Sequence, residues 1–258
     1  MALQPLASGW IPRKSLPVRC FSAAKTLRPR AFSSIFPVRI GPHHQAAGGG
    51  ERGGVMLKLY DYPDCPFCQK VRVVLKEKDL EYETIFIDLR KSEQKKPDFL
   101  RLNPLGKVPV LVDEDVVLYE STIINEYLED EYPHPSLLPE ESAARGQIRL
   151  LEDHCDNFFI PPTAVLLYEL YKPEGERDAQ RIAQSREEIR RCLAFVNDHL
   201  GAGEYLGGSQ FSLADAAFAP RAILLNRLSV EVDASMRAVT AWIERLKGRP
   251  SVQALGLL

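Results

Sequence analysis

No apolar run in this 258-residue chain approaches the roughly 18 residues that a membrane span needs. Cysteine is scarce, five residues at irregular spacing, which excludes a secreted disulfide framework and points to a reducing compartment. Zinc patterns are missing as well. One C-x-x-C is present, Cys65-Pro66-Phe67-Cys68, with no second C-x-x-C and no H-x3-5-H to supply the rest of a site of about four ligands, so no metal is expected. Internal repeats are not evident. The net charge is only −2, and it is unevenly spread: residues 1–55 hold eight Lys and Arg against Glu51 alone, +7, and the remainder carries −9. An acidic body offers no electrostatic footprint for nucleic acid. Hydrophobic and charged contents of 45% and 26% are those of an ordinary globular protein.

The chemistry concentrates around Cys65. The alternating run Val55–Tyr60 reads as a strand. Beyond the motif, Val71, Val74 and Leu75 form an apolar face at helical spacing, set among Lys70, Arg72, Lys76 and Lys78. Cys65 therefore falls at a strand-to-helix turn with Pro66 suited to the first helical position. A thiol there meets unpaired N–H groups and the positive end of the helix dipole, both of which favour thiolate. Cys68, one turn on, is within reach of a disulfide formed at Cys65. The alternative for either residue is a small core hydrophobe.

Residues 1–55 contain six prolines and a Gly-rich end, without sustained periodicity, and read as a disordered tail. Its arginines, serines and low acid content resemble an organelle transit peptide, which would place the protein in a mitochondrion or plastid. The favoured expectation is instead a start codon assigned too far upstream, with the chain beginning near Met56 and cytoplasmic. Arg52-Gly53-Gly54-Val55-Met56 is what a purine-rich ribosome-binding site spells in frame.

From Met56 the pattern is β-α-β-α-β-β-α, a thioredoxin-like α/β domain over 56–132. Its later strands are Tyr82–Ile87, Val108–Val112 and Val116–Tyr119, and a helix opens at Ser121. Pro109 inside an apolar run is confined to an edge, bulge or special turn and is a candidate for a cis bond after Val108. A linker, 133–141, leads to an all-helical domain, 142–258. Its helices are read as Ala143–Phe159, broken near Pro161-Pro162 and resuming to Tyr171, then about Asp178–Leu200, Leu213–Leu228 and Ser235–Lys247. Ser212 and Asp215 stand close to a capping box, a structural signal.

This order of domains resembles the cytosolic glutathione transferases. The motifs that carry the resemblance are Cys65-Pro66-Phe67-Cys68, the Asn103–Pro109 turn, Tyr119-Glu120-Ser121 and Phe211–Asp215, across about four-fifths of the chain. Within that family the chain is similar to the cysteine-type members, the omega class and dehydroascorbate reductases, but has the additional Cys68. The resemblance implies glutathione as co-substrate, a small electrophilic or disulfide second substrate, and usually a homodimer. It implies Cys65 as the catalytic nucleophile, with Cys68 a possible resolving thiol. Glutathione would be held by Phe67, by Val108 ahead of Pro109 for the cysteinyl backbone, by Glu120 and Ser121 for the γ-glutamyl end, and by Lys96 for the glycyl carboxylate. Tyr168 or Tyr171 would line the second-substrate pocket. The expected reaction is glutathione-dependent thiol transfer or reduction through a cysteine–glutathione mixed disulfide. A rival resemblance is to the stringent starvation protein, an RNA-polymerase-associated binding module without transferase activity. That likeness runs through Tyr119-Glu120-Ser121, Glu126-Tyr127-Leu128, Pro133-His134-Pro135 and Ala144-Arg145-Gly146.

Overall fold

The computed structural model describes residues 57–257; the basic tail and the expected start at Met56 lie outside them. Strand β1 (Leu57–Asp61) buries Leu57, Leu59 and Asp61 and exposes Lys58, the alternation of a half-buried strand. Helix α1 (Pro66–Glu77) follows, then β2 (Tyr82–Phe86), the short α2 (Pro97–Leu102), β3 (Val110–Asp113), β4 (Val116–Tyr119) and α3 (Ser121–Glu131). The sheet order is β2-β1-β3-β4, with β1 and β2 parallel and the other two pairings antiparallel. Tyr60 of β1 pairs with Val110 of β3, and Val110 with Tyr119 of β4. That register carries the β1–α1 turn, the segment before β3 and the opening of α3 to one end of the strands.

The remainder is helical: α4 (Ser142–His154), α5 (Ile160–Tyr171), α6 (Ala179–Leu200), α7 (Leu213–Ala222), α8 (Arg237–Gly248) and the one-turn α9 (Pro250–Gln253). Caps explain several starts. Glu141 accepts from the N–H groups of Ala143 and Ala144 at 3.0 and 2.7 Å, and Asp178 does the same for α6. Ser212 and Asp215 close a full capping box on α7. Asp215 is fully buried and also accepts from Leu206 N–H and Trp242 Nε1, at 2.9 and 2.8 Å, so the cap ties α7 to α8.

One continuous apolar cluster joins the two parts. It runs from Leu57, Val71, Leu75 and Ile124 through Phe159, Leu193 and Phe218 to Trp242. Helix α1 packs on α3 of its own domain and on α7 and α9 of the helical one. A smaller cluster, Cys68, Ile87, Phe99, Val108 and Val110, packs separately under α2.

Several expectations need correction. Pairing in β3 starts at Val110, because Val108 and Pro109 lead into the strand without joining the ladder. The prolines at 161 and 162 do not break the helix. A π-turn at Cys155–Phe159 precedes them, so they sit in the first turn of α5, where missing N–H groups cost little. Helix α7 ends at Ala222, shortly after its internal Pro220, and turns carry the chain to Ser229. The one-turn α9 lies beyond the last helix expected from the sequence. Lys70 and Lys78, which the amphipathic pattern of α1 sets on its polar side, are both buried. Lys70 meets Glu152 and Asp156 at 2.8 and 3.1 Å and Thr122 Oγ1 at 2.8 Å. Lys78 pairs with Glu129 at 2.7 Å and donates to the carbonyls of Tyr132 and Pro135, fixing the chain between the domains.

Candidate active site

Cys65 caps α1 from the extended backbone region, with Pro66 at the first helical position. Its N–H donates to Tyr62 C=O at 3.0 Å and its carbonyl accepts from Gln69 N–H at 2.9 Å. The side chain is half-buried. Its thiol is held below the ordinary range, chiefly because the Cys68 thiol donates to it. Burial works against this, the backbone N–H groups of Cys68 and Phe67 add to it, and Asp61 opposes it. Cys68 is completely buried, and burial together with the neighbouring Cys65 pushes its own thiol well up. Burial and the neighbouring groups thus drive the two thiols apart, that of Cys65 down and that of Cys68 up. Burial also raises the carboxyl of Asp61, opposed by Arg72 at 3.7 Å.

The turn before Cys65 is held from behind by its carbonyls. Gln69 Nε2 and Arg72 donate to Pro63 C=O at 2.7 and 2.8 Å. Arg221, arriving from α7, donates to Asp64 C=O at 3.0 Å and to Gln69 Oε1 at 2.9 Å. Sequence reasoning missed Gln69 and Arg221. The available signal was a lone arginine in the apolar run Ala216–Ala222, a residue type rarely buried without a partner.

Val108, Glu120 and Ser121 lie on the segments that the strand register brings to the same end of the sheet, and Phe67 and Lys96 on the helices beside it. The Val108–Pro109 peptide is cis, and Val108 is buried in the cluster that includes Cys68 and touches Cys65. Glu120 stands before α3 with φ +70° and is exposed, and Ser121 opens the helix buried beside it. The free N–H groups of that helix end suit a carboxylate. Phe67 lies in the first turn of α1 against the larger core. Lys96, exposed on the lead-in to α2, pairs with Glu93 at 2.8 Å. Tyr168 and Tyr171 are not core residues but strongly exposed on α5, at 61% and 82%. Among the described residues no cluster of three or more His, Cys, Asp or Glu could hold a metal ion. No helix among them is long and apolar enough to cross a membrane.

This geometry has relatives. Residues 55–130 match the family model of the glutathione S-transferase N-terminal domain, and residues 159–250 that of its C-terminal domain. A maize glutathione S-transferase 3 is 37% identical over 206 residues, covering 76% of this chain and 91% of its own. The chain belongs to the glutathione S-transferase family. A stringent starvation protein A homolog from Pasteurella multocida is 36% identical over 208 residues, 79% of this chain and 91% of its own. Among solved structures, a theta-class glutathione S-transferase from Xanthomonas axonopodis pv. citri, with glutathione bound, superposes with a TM-score of 0.71 at 26% identity, covering 78% of this chain and 97% of its own. Fold and family together give a glutathione-using transferase, with glutathione as the co-substrate.

Proposed function

We propose that this glutathione transferase is of the cysteine type, a thiol transferase or reductase in which Cys65 carries glutathione as a mixed disulfide. The observation that supports it is the pairing at the start of α1 of a half-buried, easily ionised Cys65 with a buried, protonated Cys68 that donates to it. The Cys65 thiolate attacks the glutathione sulfur of a mixed disulfide. The S–S bond breaks, and the substrate sulfur leaves as thiolate and takes a proton from solvent. A glutathione thiolate then attacks the Cys65-bound sulfur, releasing oxidised glutathione and regenerating Cys65. Val108, Glu120 and Ser121 would hold the peptide, with Lys96, paired with Glu93 at the surface, taking the glycyl carboxylate. Cys65→Ser should abolish transfer from a glutathione mixed disulfide, and Cys68→Ser should leave it largely intact. Full activity in the first variant and loss in the second would reverse the assignment.

The kinship with a stringent starvation protein A homolog supports a second reading, a polymerase-associated binding module. Failure of wild-type protein to bind immobilised glutathione, with co-purification of RNA polymerase, would favour it. A homodimer is also proposed. Ile123 of α3 and Leu150 of α4 are large apolar residues more than half exposed, and sedimentation at micromolar concentration tests the pairing.

A further inference from the structure

Every residue of α7 from Leu213 to Ala222 is buried, and Arg221 is 5% exposed among them. A cation so placed carries a heavy desolvation cost unless an opposite charge stands against it. The neighbouring arginines have one: Arg72 reaches Asp61 at 3.7 Å and Arg90 reaches Asp64 at 3.6 Å. Arg221 forms no ion pair with a carboxylate among the described residues. Two of its nitrogens donate to neutral oxygens, Asp64 C=O and Gln69 Oε1, with a longer contact to Pro220 C=O at 3.4 Å. Its Nε, fully buried, has no partner. The guanidinium therefore stands directly behind the residue preceding Cys65 with its charge uncompensated.

The groups that act on this charge come from every side of it. Burial works against the charge; Cys65, the residue after the Asp64 carbonyl that Arg221 holds at 3.0 Å, favours it, as do Asp64, Tyr171 of α5 and Cys155 of the π-turn. The Asp64 carboxylate is 72% exposed and engaged by Arg90. Tyr171 brings a phenol, and burial keeps the Cys155 thiol protonated. That leaves Cys65 as the neighbour able to supply a close anion. On its own side, Cys65 faces the Cys68 thiol and the N–H groups of α1, which favour its thiolate, and Asp61 of β1, which does not.

We propose that Arg221 is the built-in counter-cation of the Cys65 thiolate, a positioning residue lent by the helical domain to the nucleophile of the thioredoxin-like domain. The inference rests on the reading of Cys65 as nucleophile. It makes the thiolate dependent on domain docking: the same guanidinium that attracts the sulfur ties off the carbonyl of Asp64 and, through Gln69, orders that of Pro63.

The test is the pH profile of Cys65 alkylation by iodoacetamide, read on the Cys65 peptide by mass spectrometry, in wild type, Arg221→Met, Arg221→Gln and Arg221→Lys. A purely structural arginine would alter yield or melting but not the profile's midpoint. Loss of the charge should raise the midpoint by about one pH unit, cutting the alkylation rate below it about tenfold, while Arg221→Lys stays close to wild type. Should Arg221→Met fail to fold, judged by near-UV circular dichroism, Arg221→Gln keeps a hydrogen-bonding side chain without the charge and carries the same expectation. A wild-type midpoint in Arg221→Met or Arg221→Gln, or an equal rise in Arg221→Lys, overturns the proposal. Iodoacetamide needs no glutathione, so the outcomes separate. An Arg221-dependent midpoint in a protein that never transfers glutathione would sink the functional reading alone, and an Arg221-independent midpoint with normal transfer would sink this one alone.

Discussion

Replacing Lys70 by methionine keeps most of a buried side chain's bulk and deletes one charge at the junction of α1, α3 and α4. In the native protein the ammonium is 1% exposed. Burial alone would push its pKa down, but Glu152 and Asp156 outweigh that and hold it up. Asp156 keeps 23% exposure and can turn to water, whereas Glu152 is completely enclosed, with Oε2 already lacking a hydrogen-bond partner. Lys70→Met therefore strands a buried carboxylate, a loss of about 3–5 kcal/mol at neutral pH. The sign of its pH dependence follows. Burial raises the Glu152 carboxyl above the ordinary range and Lys70 pulls it back, so removing Lys70 lets it rise further. Above the unfolded carboxyl pKa of about 4.3 the unfolded chain gives up its proton while the folded variant retains it, so stability falls as pH rises, by at most about 1.4 kcal/mol per unit. Because burial already raises Glu152 in the native protein, the deficit relative to wild type should be small where both proteins hold Glu152 protonated and grow from its native folded pKa up to its higher value in the variant. Urea melts followed by Trp242, which is fully buried on α8, measure this. The double variant Lys70→Met/Glu152→Leu, which removes both charges, should recover most of the loss. A single variant within about 1 kcal/mol of wild type, or a deficit flat from pH 5 to 8, would refute the reasoning.

Two further outcomes are expected. With Ellman's reagent on native protein, Cys65 should react fast, while Cys68, Cys155 and Cys192, all buried with thiols pushed up, should react only on unfolding; rapid native labelling of Cys155 would contradict the packing around the π-turn. Ile123→Lys places a charge at the half-exposed Ile123 of α3 and should shift sedimentation of the proposed dimer to monomer, and an unchanged dimer would move the interface elsewhere.

What could be read from sequence alone were the features whose causes are local. The Cys65 turn was legible because strand alternation, a proline at the first helical position and α1's apolar spacing all fall within about twenty residues. The sheet was legible for the same reason, except that the apolar Val108-Pro109 imitated the start of β3 while the ladder begins where Val110 meets Tyr60 and Tyr119. The site's supporting charges were not legible. Arg221 meets Gln69 and Asp64 across 152 and 157 residues, and Lys70 meets Asp156 across 86. A lysine on α1 looks identical in sequence whether it faces water or Glu152, because only the tertiary fold brings the carboxylate. Lys96 shows the reverse: its partner, Glu93, is only three residues away.

Helix α1 belongs by sequence to the thioredoxin-like domain, yet part of its surface is core for the other domain, against α7 and α9. An excised 57–132 fragment would thus expose an apolar helix face to water, with Lys70 stripped of Glu152 and Asp156, and Glu77 of its two-pronged partner Arg249. The boundary visible in the topology is not a boundary in cooperativity. Heat or denaturant should take both halves down in one transition, and the helix that Cys65 caps should be ordered only when both halves are.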